Sequence, residues 1–142
     1  MGKKRIVKKQ GGSSAKAGAK NTAPSKKKLT SGTLHIEATF NNTKAVLTDK
    51  NGNSFFWSSS GSLGFKGARK GTPYAASKVG ETLAEKAEMA GLKDVDVVIR
   101  GVGSGREPLA RAFLAKGFDL TGIKDETPVP HNGVRAKKAR RV

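Results

Sequence analysis

The first 28 residues hold ten Lys or Arg and no Asp or Glu, set among Gly, Ser and Ala with almost nothing apolar. Such a segment cannot offset its ordering entropy by burying side chains, so any core must come from the residues after position 28. Residues 29 to 123 carry twelve basic and nine acidic side chains, an ordinary balance for a folded domain. Residues 124 to 142 return to six basic against two acidic. This layout predicts a disordered basic extension over 1–28, one globular domain over 29–124 and a basic extension over 125–142. A chain of 142 residues suits a single domain.

The formal net charge of +17 sits mostly in the two flanking segments, which points to a polyanionic partner and above all to nucleic acid. A merely solubilising extension is the competing reading of the first segment. Neither segment shows an amphipathic apolar stripe, and no apolar stretch approaches the roughly 18 residues of a membrane span. The basic start also lacks the apolar region of a signal peptide, so a soluble chain with no membrane partner is expected. The sequence has no Cys, and only His35 and His131 remain as imidazole ligands, so neither a disulfide framework nor a structural zinc site is expected.

Within the body, Thr33 to Phe40 alternates, with Leu34, Ile36, Ala38 and Phe40 on one face and His35, Glu37 and Thr39 on the other, the period of a half-buried strand. Asn41-Asn42 supplies a turn, Lys44 to Thr48 a second strand, Asp49 to Gly52 a tight Asn-Gly hairpin, and Phe55 to Ser58 a third strand. Residues 59 to 72 read as a loop. Thr72 is placed as an N-cap and Pro73 in the first turn of a helix whose apolar positions run through Ala76, Val79, Leu83, Ala87 and Ala90 to a stop at Gly91. Val95 to Ile99 is nearly continuous and β-branched, which suits a strand covered on both faces by helices. A glycine loop over 101–106, a helix over Glu107 to Lys116 and a strand over Phe118 to Ile123 complete one mixed sheet in the order β-β-β-α-β-α-β.

Two loops and the C-terminal segment carry the chemistry. Gly64 to Thr72 places Lys66, Arg69 and Lys70 among glycines before a helix start, where close backbone approach and the helix dipole both favour phosphate. Phe65 either stacks on a base or anchors the loop to the core. Gly101 to Arg106 stands where dinucleotide enzymes place G-x-G-x-x-G, but its third glycine falls one position early. It reads as a turn, or as a nest whose NH groups and Arg106 meet an RNA phosphate. No set of carboxylates or imidazoles suggests catalysis: His35 and Glu37 read as the polar side of a sheet, and Ser58-Ser59-Ser60 lacks a base. The rival classes are a nucleotide-dependent enzyme built on the glycine loop and a DNA-compacting protein. In the last segment, Pro128 and Pro130 enforce an extended start, His131-Asn132-Gly133 turns, and the cations after it can track a backbone. Asn132-Gly133 is also a candidate for isoaspartate formation, with Asn51-Gly52 protected if its hairpin is rigid.

The motifs His35-Ile36-x-Ala38-x-Phe40-Asn41-Asn42-Thr43, the Asp49 to Gly52 turn, Trp57 with its Ser/Gly loop, Gly64-Phe65-Lys66-Gly67-x-Arg69-Lys70-x-Thr72-Pro73, Gly101-x-Gly103-x-Gly105-Arg106-Glu107 and Thr127-Pro128-x-Pro130-His131-Asn132-Gly133-x-Arg135 stand in this order, with Arg140-Arg141-Val142 at the end. Together they resemble the family of bacterial small-subunit ribosomal protein eleven, a universal platform protein, over about Thr33 to Val142. The resemblance implies a ribonuclease-H-like three-layer α/β/α fold with a mixed five-stranded sheet, no enzymatic activity and no cofactor or metal. It further implies a cytoplasmic structural constituent of the small ribosomal subunit that binds the central domain of 16S rRNA on the platform, supports assembly and shapes the exit-site region. Small-subunit proteins six, eighteen and twenty-one are the implied neighbours, with protein seven across the exit channel and mRNA nearby. The expected rRNA-binding residues are Asn41, Asn42, Lys66, Arg69, Lys70, Thr72, Arg106, His131, Asn132, Gly133, Arg135, Lys137, Lys138, Arg140 and Arg141. The chain departs from the family pattern at Val102 and Ser104, and at Ala136 and Lys137, where prolines are usual, which predicts a less rigid loop and tail.

Overall fold

The computed structural model describes residues 28–141, so the expected N-terminal extension lies, but for Lys28, outside the described residues. Five strands, β1 (Ser31–Ala38), β2 (Thr43–Thr48), β3 (Ser54–Ser59), β4 (Asp94–Gly101) and β5 (Asp119–Asp125), form one sheet in the order β3-β2-β1-β4-β5. β2 is antiparallel to β1 and to β3, while β1, β4 and β5 run parallel. Helices α1 (Pro73–Ala90) and α2 (Arg106–Leu114) come after β3 and β4 respectively. This is the expected α/β fold, with its mixed five-stranded sheet and element order.

Both ends of α1 are set by local chemistry. The Thr72 side chain accepts from the Ala75 N–H at 3.3 Å, and Pro73 opens the helix without forfeiting a bonded donor. At the other end Gly91 takes φ +84°, its N–H bonds to Glu88 O at 3.0 Å and that of Leu92 to Ala87 O at 3.1 Å, the paired bonds of a Schellman stop. Ala75, Ala76, Val79, Gly80, Leu83, Ala84 and Ala87 are buried. Gly80 lets α2 approach closely, since a Cβ there would lie 2.6 Å from Leu109 O.

Register shows which face the helices cover. Leu34 stands between Leu47 and Val97, and Ile36 between Ala45 and Ile99; all six join α1 and α2 in the core with Leu109 and Phe113. The next residues along the strands, Val46, His35 and Val98, form a row on the opposite face and are only half-buried. Of the three layers implied, the described residues therefore supply the sheet and one helical layer. Val98 corrects the expectation that helices cover both faces of β4; its neighbours His35, Glu37, Lys44 and Arg100 line an open hollow instead. Phe40 is a second correction: β1 ends at Ala38, and the turn beyond it leaves Phe40 78% exposed rather than in the core. Within the stretch read as a loop, Gly67–Gly71 forms a short 3-10 helix.

Candidate nucleic-acid interface

Strand direction gathers the candidate residues. Because β1, β3, β4 and β5 all point the same way, the β1–β2 turn, the β3–α1 loop, the β4–α2 loop and the C-terminal segment leave the sheet at one end, where α/β sheets bind ligands. Both helices begin there, so two helix N-termini add positive potential to it. The first turn of α1 holds no acidic residue.

The three loops lock to one another through backbone contacts. In the β1–β2 turn, Thr39 N–H donates to Asn42 O at 2.9 Å, and Asn42 N–H donates to Thr39 Oγ1 at 3.1 Å. Asn41 is thereby presented to solvent, with Asn42 half-buried beside it. Gly71 packs directly on the Phe40 carbonyl, leaving no room for a side chain. Gly103 N–H donates to Ala38 O at 2.9 Å, and the Ser104 hydroxyl donates to Gly71 O at 2.9 Å. The glycine loop, expected to be less rigid because it carries Val102 and Ser104, is tied by these bonds to both neighbours. Ser104 thus has a positioning role that the sequence did not reveal.

Lys66, Arg69 and Lys70 stand on the 3-10 helix and its entry, and none pairs with a carboxylate among the described residues. The helix itself is braced by Thr72, whose hydroxyl donates to Arg69 O at 2.7 Å while accepting from Ala75 N–H. Thr72 is therefore placed as a cap that presents the cations. Phe65 meets the ring of Tyr74 edge to face, with centroids 6.1 Å apart.

Arg106 is turned inward. Its guanidinium donates to Gly101 O, to Thr127 Oγ1 at 3.0 Å and to Asp125 Oδ2. Asp125 in turn accepts from both the N–H and the hydroxyl of Thr127, at 2.9 and 2.6 Å. These Thr127 bonds, with the Arg106 guanidinium beside them, hold the Asp125 carboxyl at about 2. Glu126 is likewise held at about 2, chiefly by hydrogen bonds from Arg100 at 2.6 Å and Lys124 at 2.8 Å. Its N–H donates to Ile99 O at 2.9 Å. Asp125, Glu126 and Thr127 so form a clamp where the C-terminal segment leaves the fold; the Asp-x-Thr spacing was the available signal for it.

Beyond the clamp, His131, Asn132, Gly133, Arg135, Lys137, Lys138, Arg140 and Arg141 are all exposed. Asn132 adopts φ +54°, so the expected turn has its left-handed residue at Asn rather than Gly. Among the described residues no group of three or more His, Cys, Asp or Glu is placed to hold a metal. His35 sits on the open sheet face, its Nε2 3.2 Å from Thr48 Oγ1, and burial, then the Arg100 charge, lowers its pKa.

This geometry, cations without a carboxylate partner among the described residues on glycine-supported loops beside two helix N-termini, with an extended basic segment clamped to the same end, is that of a polyanion-binding scaffold. Residues 32–141 match the family described as Ribosomal protein S11, a structural and non-enzymatic family. The chain belongs to the ribosomal protein S11 family and is a cytoplasmic, rRNA-binding structural constituent of the small ribosomal subunit.

Proposed function

We propose that this protein binds the central domain of 16S rRNA on the platform of the small subunit through one end of its sheet, supports subunit assembly and shapes the exit-site region. Asn41, Lys66, Arg69 and Lys70 meet folded RNA from the loops, and His131, Asn132, Gly133, Arg135, Lys137, Lys138, Arg140 and Arg141 track its backbone from the extended segment. Asn42, Thr72 and Arg106 hold those groups in place. Residues 29–124 act as the rigid body, 125–142 as the threading arm and 1–28 as a further basic arm. Small-subunit proteins six, eighteen and twenty-one are its neighbours in this reading, protein seven faces it across the exit channel, and mRNA passes close by.

The observation that carries the proposal is the separation of two kinds of cation at one end of the sheet. Arg100, Arg106 and Lys124 are paired with Asp125 or Glu126, whereas Lys66, Arg69 and Lys70 have no carboxylate partner among the described residues. Cations left free on a braced loop exchange counterions with phosphates, and RNA shape rather than base sequence then sets selectivity. Replacing Lys66, Arg69 and Lys70 together with Gln weakens binding to a central-domain rRNA fragment. It also flattens the dependence of log K on log salt by roughly 0.7 to 0.9 for each phosphate that is no longer neutralised. Titration at several salt concentrations, with duplex DNA as competitor, measures both; an unchanged slope removes this loop from the interface.

A further inference from the structure

Beside the 3-10 helix lies a hollow of about 410 Å3 lined by Leu63, Gly64, Phe65, Lys66 and Arg69. That is within the roughly 300–1,000 Å3 range of small-ligand clefts. Its walls are made by the chain turning tightly off β3. Leu63 N–H donates to Ser59 O, Gly64 N–H to Gly61 O and Phe65 N–H to Ser60 O, at 3.2, 3.3 and 3.3 Å. Ser60, fully buried, ties this turn down through a bond from its own N–H to Thr43 O at 2.9 Å. Tyr74 braces the Phe65 ring edge to face at an interplanar angle of 82°, which fixes the ring without stacking on it. Gly64, at φ +94°, has no described residue beyond its chain neighbours within 4 Å of where a Cβ would stand, so none of them closes the hollow at that point.

Phosphate contacts alone require no apolar lining, yet Leu63, 37% exposed, and Phe65 both line this hollow. An aromatic ring and an aliphatic side chain together with Lys66 and Arg69, and no carboxylate in the lining, have the composition of a site for a nucleotide taken out of its stack. An acidic peptide would satisfy the cations but would gain nothing from a fixed ring face. We propose that this hollow receives one unstacked nucleotide of the bound RNA, its base against Phe65 and Leu63 and its phosphate between Lys66 and Arg69. The inference rests on the rRNA-binding reading and adds to it a base-docking subsite.

The test uses the full chain and the central-domain rRNA fragment, comparing the wild-type protein with F65L, F65W and the pair K66Q/R69Q. Thermal melting establishes that each variant is folded. F65L keeps apolar volume against Tyr74 but removes the π face, so its affinity falls by roughly 5- to 150-fold with the salt slope unchanged. F65W restores affinity to near the wild-type value, while K66Q/R69Q lowers the slope. One nucleotide is protected from 2′-hydroxyl acylation by the wild-type protein and F65W but not by F65L. Wild-type affinity in folded F65L, or equal losses in F65L and F65W, overturns the nucleotide site while leaving the wider rRNA reading intact. Failure of the wild-type protein itself to prefer rRNA over duplex DNA overturns that wider reading, and the subsite with it.

Discussion

At Gly101 the backbone holds φ +98°, and a Cβ there would run into the Ala38 carbonyl oxygen. Gly52 has a similar φ of +89° with nothing within 4 Å. Alanine at position 52 therefore meets the left-handed penalty alone, about 1 kcal/mol, whereas G101A adds a backbone collision and costs at least about 2 kcal/mol. Urea unfolding of the two variants checks this, and equal losses would contradict it. A second residue-scale contrast concerns the two Asn-Gly pairs. Isoaspartate forms when the N–H of the next residue attacks the Asn amide, but Gly52 N–H donates to Asp49 O at 3.2 Å, and Asp49 Oδ1 also fixes Asn51 N–H at 2.8 Å. Asn132 lies in the exposed segment. Peptide mapping of aged protein should find isoaspartate at Asn132 and little at Asn51; equal modification at both rejects the contrast. Residue identity disclosed the cations and the turn formers because their chemistry is local. It did not disclose that Arg106 points inward, because its partners Asp125 and Thr127 are 19 and 21 positions away.

Helix packing sets the terms at the scale of elements. Glycine inside a helix ordinarily costs 0.5–1 kcal/mol relative to alanine, as a rough guide. Gly80 reverses the sign, because the added methyl would stand 2.6 Å from Leu109 O and 3.1 Å from Ala112 Cβ at the α1–α2 contact. G80A is thus expected to destabilise the fold, and a raised melting temperature would show that the helices can separate at little cost. The clamp on the C-terminal segment has a pH signature. Asp125 and Glu126 are held at about 2, below their ordinary 3.8 and 4.5, so their contribution is complete above those ordinary values and is lost as pH falls through about 2. The Thr127 amide resonance should titrate with that low midpoint, and a midpoint near 3.8 would mean that the clamp does not form. Periodicity disclosed the strands and α1 because each is long enough for its pattern to repeat. The 3-10 helix escaped notice because five residues of Gly, Ala, Arg and Lys carry no apolar period, and Val98 misled because a β-branched run does not say what covers its second face.

In the sequence a near-neutral stretch over 29–123 stands between two basic ones, which could be read directly from the order of charges. The convergence of four connections at one end of the sheet could not, because it depends on strand direction and exists only once the sheet has formed. The consequence is a division of labour that truncation can expose. The hydrophobic core runs from Leu29 to Phe113, and beyond Thr127 every described residue is exposed. A chain ending at Glu126 should therefore keep its cooperative unfolding and lose little melting temperature. It would lack Arg135, Lys137, Lys138, Arg140 and Arg141, so its salt slope on rRNA should fall by roughly 0.7 to 0.9 for each of those cations that meets a phosphate. On the proposed reading, loop cations alone would still attract RNA, but the truncated protein would no longer reach phosphates remote from the body. Reconstitution of small subunits should then exclude the truncated chain when full-length protein competes. Incorporation equal to that of the full chain would assign the positioning to the body alone and leave the extended segment without a part in assembly.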